Sequence, residues 1–179
     1  MKYLCISFVV LSLSPLLAAD ERRVRPLDPW ATESFERVID RSALARELTG
    51  RLESSDLVVY IETLTVMPTD LAGTTRFMTS AGGYRYVRIS LRRGLEATER
   101  ATILGHELQH ACELADSTAT DLQGVRRLYE RLGLRISRSE ELFETREALQ
   151  AGLRVGLELR SRQAEPSHLA LDAPVRKGR

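Results

Sequence analysis

Two strand-like runs, Thr74 to Thr79 and Tyr84 to Leu91, flank Ala81, Gly82 and Gly83, a turn that accepts positive backbone torsions, so this stretch reads as a β-hairpin. In the second arm Val87, Ile89 and Leu91 alternate with Tyr86, Arg88 and Ser90. Strict alternation puts the apolar side chains on one face and leaves the other wet, so the rest of the chain has to cover the apolar face.

Cover is available on both sides of the hairpin. Between Thr32 and Leu52, Phe35, Val38, Ile39, Ala43, Leu44 and Leu48 recur at helical spacing, with Gly50 near the end as a stop. Leu57 to Thr65, rich in Val, Ile and Thr, suits a strand closed by Pro68. From Thr98, an expected N-cap, a helix runs through Ile103, Leu104, Leu108 and Ala111 to about Ala115. A further helix over Thr118 to Leu132 stops at Gly133. A last one opens with Ser137 and Glu140 spaced as a capping box and continues towards Leu159. The expected fold class is therefore α+β: an N-terminal helix, a small antiparallel or mixed sheet with a hairpin, a central helix and two further helices.

The ends differ from this middle. Lys2 precedes an apolar stretch from Tyr3 to Ala19, which reads as a secretory signal cut after Ala18 or Ala19, with an uncleaved anchor as the alternative. Cys5 has no lipobox around it. Residues 20–30 are charged and carry Pro26 and Pro29, which suggests a flexible leader, and the tail 161–179 suggests disorder, leaving 31–160 as the folded domain. Loss of the signal leaves 25 basic against 25 acidic residues and Cys112 as the only cysteine. A neutral domain offers no global field to nucleic acid, and a lone cysteine forms no internal disulfide. One tryptophan and scattered aromatics give no base-stacking pattern either. The implied location is the periplasm or the exterior, with no membrane insertion after cleavage; nothing sets the oligomeric state.

The chain has three histidines, and two stand four apart in His106-Glu107-Leu108-Gln109-His110. Four residues is just over one helical turn, so both imidazoles leave the same face and can reach one zinc ion at about 2.0–2.1 Å. Glu107 follows the first histidine, where its carboxylate can act as general base on water activated by the metal. The flanking Ile103, Leu104, Gly105, Ala111 and Cys112 are uncharged, as a buried motif helix requires. Glu113, seven positions after His106, shares that face about 10 Å along the axis, and is expected to hold His110 rather than ligate. Asp116 and Asp121 are weaker candidates for such a role and serve equally as helix caps. Cys112 reads as a small buried hydrophobe, His168 as part of the tail, and the Arg-rich stretches as solvated faces.

The segment Thr102 to Cys112 resembles the extended consensus of the zincin metallopeptidases. That resemblance implies a zincin-like order of elements, zinc as cofactor and peptides or proteins as substrates. It also implies that the strand just before the motif helix is a sheet edge that pairs with substrate, which assigns this task to Tyr84 to Leu91. No third histidine occurs before His168, unlike the metzincin branch. A gluzincin-like site remains, in which a downstream helical glutamate completes the metal set. Within residues 140–148 the choice is Glu144, beside Phe143 and one turn before Ala148, with Glu141 and Glu147 as rivals. A residue stabilising the transition state is expected among Tyr84, Tyr86, Tyr129 and Arg146, which the sequence does not rank.

Two readings of function follow. The first is a zinc metallopeptidase, either general or restricted to one partner, with Glu107 as base. The second is a non-catalytic module of the same fold, stabilised by zinc, that binds a peptide or protein.

Overall fold

The computed structural model describes residues 22–135 and 143–163. The expected signal 1–19, the Ser137 and Glu140 capping box, Glu141 and His168 lie outside the described residues. The architecture is α+β, with five helices and a four-stranded mixed sheet among the described residues.

The expected leader is a correction. Val24–Pro26 form strand β1, which pairs parallel with β2 (Leu57–Leu64), Val24 lying opposite Val59. Pro26 ends an edge strand, where proline is tolerated, and the Glu53 carboxylate accepts from the amides of Arg23 and Val24 at 2.7 and 3.2 Å. Helix α1 (Pro29–Arg41) then starts on a proline whose missing N–H costs nothing, behind an Asp28 side chain that accepts from the Ala31 amide at 3.0 Å. The one helix expected over 32–52 is in fact two. Ser42 is extended, and its hydroxyl accepts from the Ala45 amide at 3.0 Å and donates to Glu158 Oε2 at 2.6 Å. That bonding ends α1 and caps α2 (Ala43–Glu53), the usual competition between a serine hydroxyl and a continuous helix.

The hairpin forms as expected from β3 (Gly73–Ala81) and β4 (Tyr84–Arg92), through Gly82 and Gly83 with φ of 59° and 82°. Strand order is β1-β2-β4-β3, with β2 and β4 parallel and β3 and β4 antiparallel. This corrects the edge assignment: β4 is internal, and β3 is the edge. Val87, Ile89 and Leu91 are completely buried, with Val59, Ile61 and Thr63 as their partners in β2. The more polar β3, running Gly-Thr-Thr-Arg-Phe-Met-Thr-Ser-Ala, can afford the outer position.

Helix α3 (Ala97–Ala115) lies on the buried face of the sheet through Leu104, Leu108 and Ala111, all fully buried. It starts one residue before Thr98, and its N-cap Glu96 makes no side-chain cap bond. Its C-terminal carbonyls are gathered by Arg85 of β4, 5 % exposed, whose guanidinium donates to the carbonyls of Leu114 (2.7 Å), Ala115 (3.0 Å) and Ser117 (2.8 Å) and to both oxygens of Asp56 (2.6 and 2.9 Å). Helix α4 (Leu122–Leu132) is capped by Asp121 and stops at Gly133 as expected, though it begins four residues later than Thr118.

The last helix also differs from expectation. Phe143–Glu144 form strand β6, antiparallel to β5 (Leu134–Arg135), and α5 (Arg146–Gln163) starts only after them, running past the expected limit at residue 160. The backbone groups of Phe143 and Glu144 are engaged with β5, and Thr145 supplies the cap by accepting from the Ala148 amide at 3.1 Å. Among the described residues no helix is long and apolar enough to cross a membrane.

Helix α5 presses on the outer side of α3. A Cβ on Gly152 would meet the Thr102 carbonyl oxygen at 2.8 Å and the His106 Cβ at 3.1 Å, so only a residue without a side chain lets the helices approach this closely. Gly152→Ala is expected to lower stability by about 1–3 kcal/mol despite the better helix propensity of alanine, read by urea denaturation. Asp56 gives a pH test. Its hydrogen bond from Arg85, opposed by partial burial, holds its carboxyl below the ordinary value. A lowered folded-state pKa stabilises above about pH 4 and is lost as pH falls through the folded value. Asp56→Asn should therefore flatten the acid limb of the stability profile below about pH 4 and remove stability at neutral pH.

Candidate metal centre

One turn of α3 places His106 and His110 on the face that looks away from the sheet. Their ring centroids are 4.8 Å apart, nearly perpendicular at 77°. β6 brings Glu144 over them: its Oε1 lies 3.5 Å from His106 Nε2 and 3.7 Å from His110 Nε2, and one donor atom from each of the three residues falls within 4.8 Å of the others. Donors bound tetrahedrally to one zinc at about 2.0–2.2 Å lie roughly 3.3–3.6 Å from each other. Two nitrogens and one carboxylate oxygen at these separations fit the donor set of an open zinc site, with small contraction around an ion.

The neighbours of these three groups are mostly buried. Glu113, three residues after His110, puts Oε2 2.8 Å from His110 Nδ1. Tyr129 of α4 donates its hydroxyl to the His110 carbonyl at 3.2 Å, and its ring meets His110 edge-on and stacks on Phe143. Glu107 turns towards the edge strand, where Thr75 Oγ1 donates to its Oε2 at 2.7 Å. Gly73 leaves room there, since a Cβ on it would stand 2.9 Å from Glu107 Oε1 and collide with Ile103.

Proton affinities follow from this packing. Burial pushes the Glu107 carboxyl up to about 7, against the opposing pull of His110 and Thr75. Burial alone would lower His110, but the hydrogen bonds it donates to Glu113 and Glu144 and the charge of Glu107 outweigh it and raise the imidazole to about 9. For His106, burial with the charge of His110 outweighs the charges of Glu144 and Glu113 and lowers it. Glu144 is raised by burial, yet its hydrogen bond to His110 and the charge of His106 leave it below the ordinary value. Burial sends Tyr129 well above its usual value, and Cys112 up to about 12. Cys112 is fully buried with its sulfur 3.5 Å from the Leu48 carbonyl oxygen, which suits a core residue.

The group opens onto a cleft of about 540 Å³. One wall is the edge strand with its approach, Asp70 to Phe77; the other carries Leu122 of α4 and Leu149 and Leu153 of α5, which are 68 %, 49 % and 60 % exposed. His106, Glu107, His110, Tyr129 and Glu144 form the floor between them.

Of the residues singled out from sequence, His106, Glu107, His110, Glu113 and Glu144 come together here. Glu144 does so from strand β6, where a helix was expected. Glu147 is exposed on α5 and outside the donor group. Asp116 pairs with Arg51 at 2.6 Å and Asp121 caps α4. Of the four residues considered for the transition state, Tyr129 lines the cleft, whereas Tyr84, Tyr86 and Arg146 do not. Sequence reasoning missed Thr75 and Thr145. A threonine directly before the periodic run of α5 is a recognisable cap, which could have located Thr145; nothing local marks Thr75, whose partner is 32 residues away.

The chain matches no protein-family model, no curated protein and no solved structure.

The Thr75 contact is open to test. Thr75→Val leaves a buried carboxylate oxygen without its donor and is expected to cost about 1–3 kcal/mol in urea denaturation, while Thr75→Ser stays near wild type.

Proposed function

We propose that this chain is an exported zinc-dependent peptidase of zincin-like architecture, in which His106, His110 and Glu144 hold the ion and Glu107 is the general base. The observation that carries the reading is the convergence of the three donors with a separate buried carboxylate, Glu107, in one cleft beside an open sheet edge. A structural zinc site closes its fourth position with protein ligands; a three-donor set at the floor of an open cleft suits catalysis better.

Bound there, zinc supplies Lewis acidity, which brings the pKa of water to about 7 and polarises a carbonyl. The chain's own groups do the rest. Glu107 takes a proton from the attacking water and passes it to the leaving amine nitrogen, and the Thr75 hydroxyl holds the carboxylate that does so. Glu113 keeps the His110 ring oriented through Nδ1. β3 presents its unpaired backbone along the cleft, so an extended peptide can add as a further strand, with alternate side chains entering the cleft. Leu122, Leu149 and Leu153 line the opposite wall and favour a large apolar side chain next to the scissile bond. Tyr129 reaches the His110 carbonyl and Glu113 and is placed to support the floor.

The test combines metal content with cleavage of a mixed peptide library read by mass spectrometry. Wild type is expected to carry about one zinc per chain, and His110→Ala and Glu144→Ala to lose it. Glu107→Gln should keep the metal while cleavage falls by about 10²–10⁴-fold. No zinc in protein purified without chelator, and none taken up on titration, would sink the metal-centre reading. Zinc with peptide binding but no cleavage in wild type would favour the non-catalytic module.

A further inference from the structure

Both oxygens of the Glu113 carboxylate are engaged. Oε2 faces His110 Nδ1 at 2.8 Å, and Oε1 accepts a 2.6 Å hydrogen bond from the hydroxyl of Thr145. Thr145 is 2 % exposed and stands directly after Glu144, between β6 and α5. Its own amide donates to Glu144 Oε1 at 2.9 Å, the oxygen that faces both histidines. One residue therefore touches the third donor through its backbone and the second donor, one step removed, through its side chain.

The direction of these bonds is set at the start of α5. The Ala148 amide can only donate, and it donates to Thr145 Oγ1 at 3.1 Å. The hydroxyl is an acceptor there and has a single proton to give, which goes to Glu113. As a carboxylate, Glu113 accepts on that side and can accept again from His110, an arrangement in which Nδ1 holds its proton and Nε2 is the nitrogen left to ligate. A plain helix cap would need only the first of these bonds. The second, between two buried side chains 32 residues apart in sequence, is no part of that cap and reaches across to α3.

We infer that Thr145 is a positioning residue of the metal centre, its hydroxyl acting through Glu113 to set the ring and tautomer of His110; this rests on the reading of His106, His110 and Glu144 as metal ligands.

The experiment is a zinc competition titration against a chromophoric chelator, on proteins shown to be folded by near-ultraviolet circular dichroism. Thr145→Val should weaken zinc binding about 10–100-fold, the usual effect of removing a group that orients a ligand. Thr145→Ser, which keeps the hydroxyl, should stay within about threefold of wild type. In a Glu113→Gln background Thr145→Val should add little, because the route through Glu113 is already broken. If Thr145→Val does not fold, Thr145→Ala takes its place. Wild-type affinity in the hydroxyl-free variant, or a loss that multiplies in full with that of Glu113→Gln, overturns the inference alone. A wild-type protein that takes up no zinc overturns the metal-centre reading, and the inference with it, before any variant is compared.

Discussion

The contact between α3 and α5 at Gly152 sets the position of nearly everything else. α3 is covered by the sheet on one side and by α5 on the other, and the backbone of α5 sits against Thr102 and His106 with no side chain between. At that separation the start of α5 and the β6 strand before it are carried to the level of the histidines. A wider spacing would leave Glu144 short of them. Interiors this closely packed transmit a displacement and do not absorb it, so the helix spacing and the donor separations are one constraint.

The same packing concentrates titratable groups where burial is costly. Glu107, His110 and Glu113 are all buried, and each is held by a partner brought from elsewhere in the chain or from the next turn. A buried polar network with every member satisfied orients its groups; one with a member missing is worse than an apolar core. This explains how small hydroxyls such as Thr75 and Thr145 carry weight out of proportion to their size. It also divides the carboxylates: Glu144, which faces both imidazoles, is held low, while Glu107, buried more deeply, is driven up.

The sheet contributes through its order. With β4 between β2 and β3, its apolar row is sealed, and the polar β3 is left beside the cleft with one side of its backbone unpaired. The register shift between Phe77 and Thr79 bends that edge at the end of the cleft-lining segment, a device that limits how far another strand could continue along it. Together with the leucines of α4 and α5, this gives the proposed peptide groove one polar, hydrogen-bonding wall and one apolar wall.

Local pattern was enough to place the hairpin, β2, α4's stop at Gly133 and the central helix with His106 and His110 on one face, because turn chemistry and periodicity act between near neighbours. It also put Glu113 beside His110, since three residues on a helix is itself a local relation. The break at Ser42, the strand at Val24–Pro26 and the inner place of β4 were not legible, because each depends on a partner far away: Glu158, Val59, and the row from Leu57 to Leu64. Glu144 was named from sequence but on the wrong element, as the pairing with β5 that keeps it out of α5 is a tertiary event. Residue types and their spacing decided which groups the chain can offer to a metal. Only the close approach of α5 to α3, which packing sets and no local rule encodes, decided which of its glutamates arrives and which hydroxyls hold the others in place.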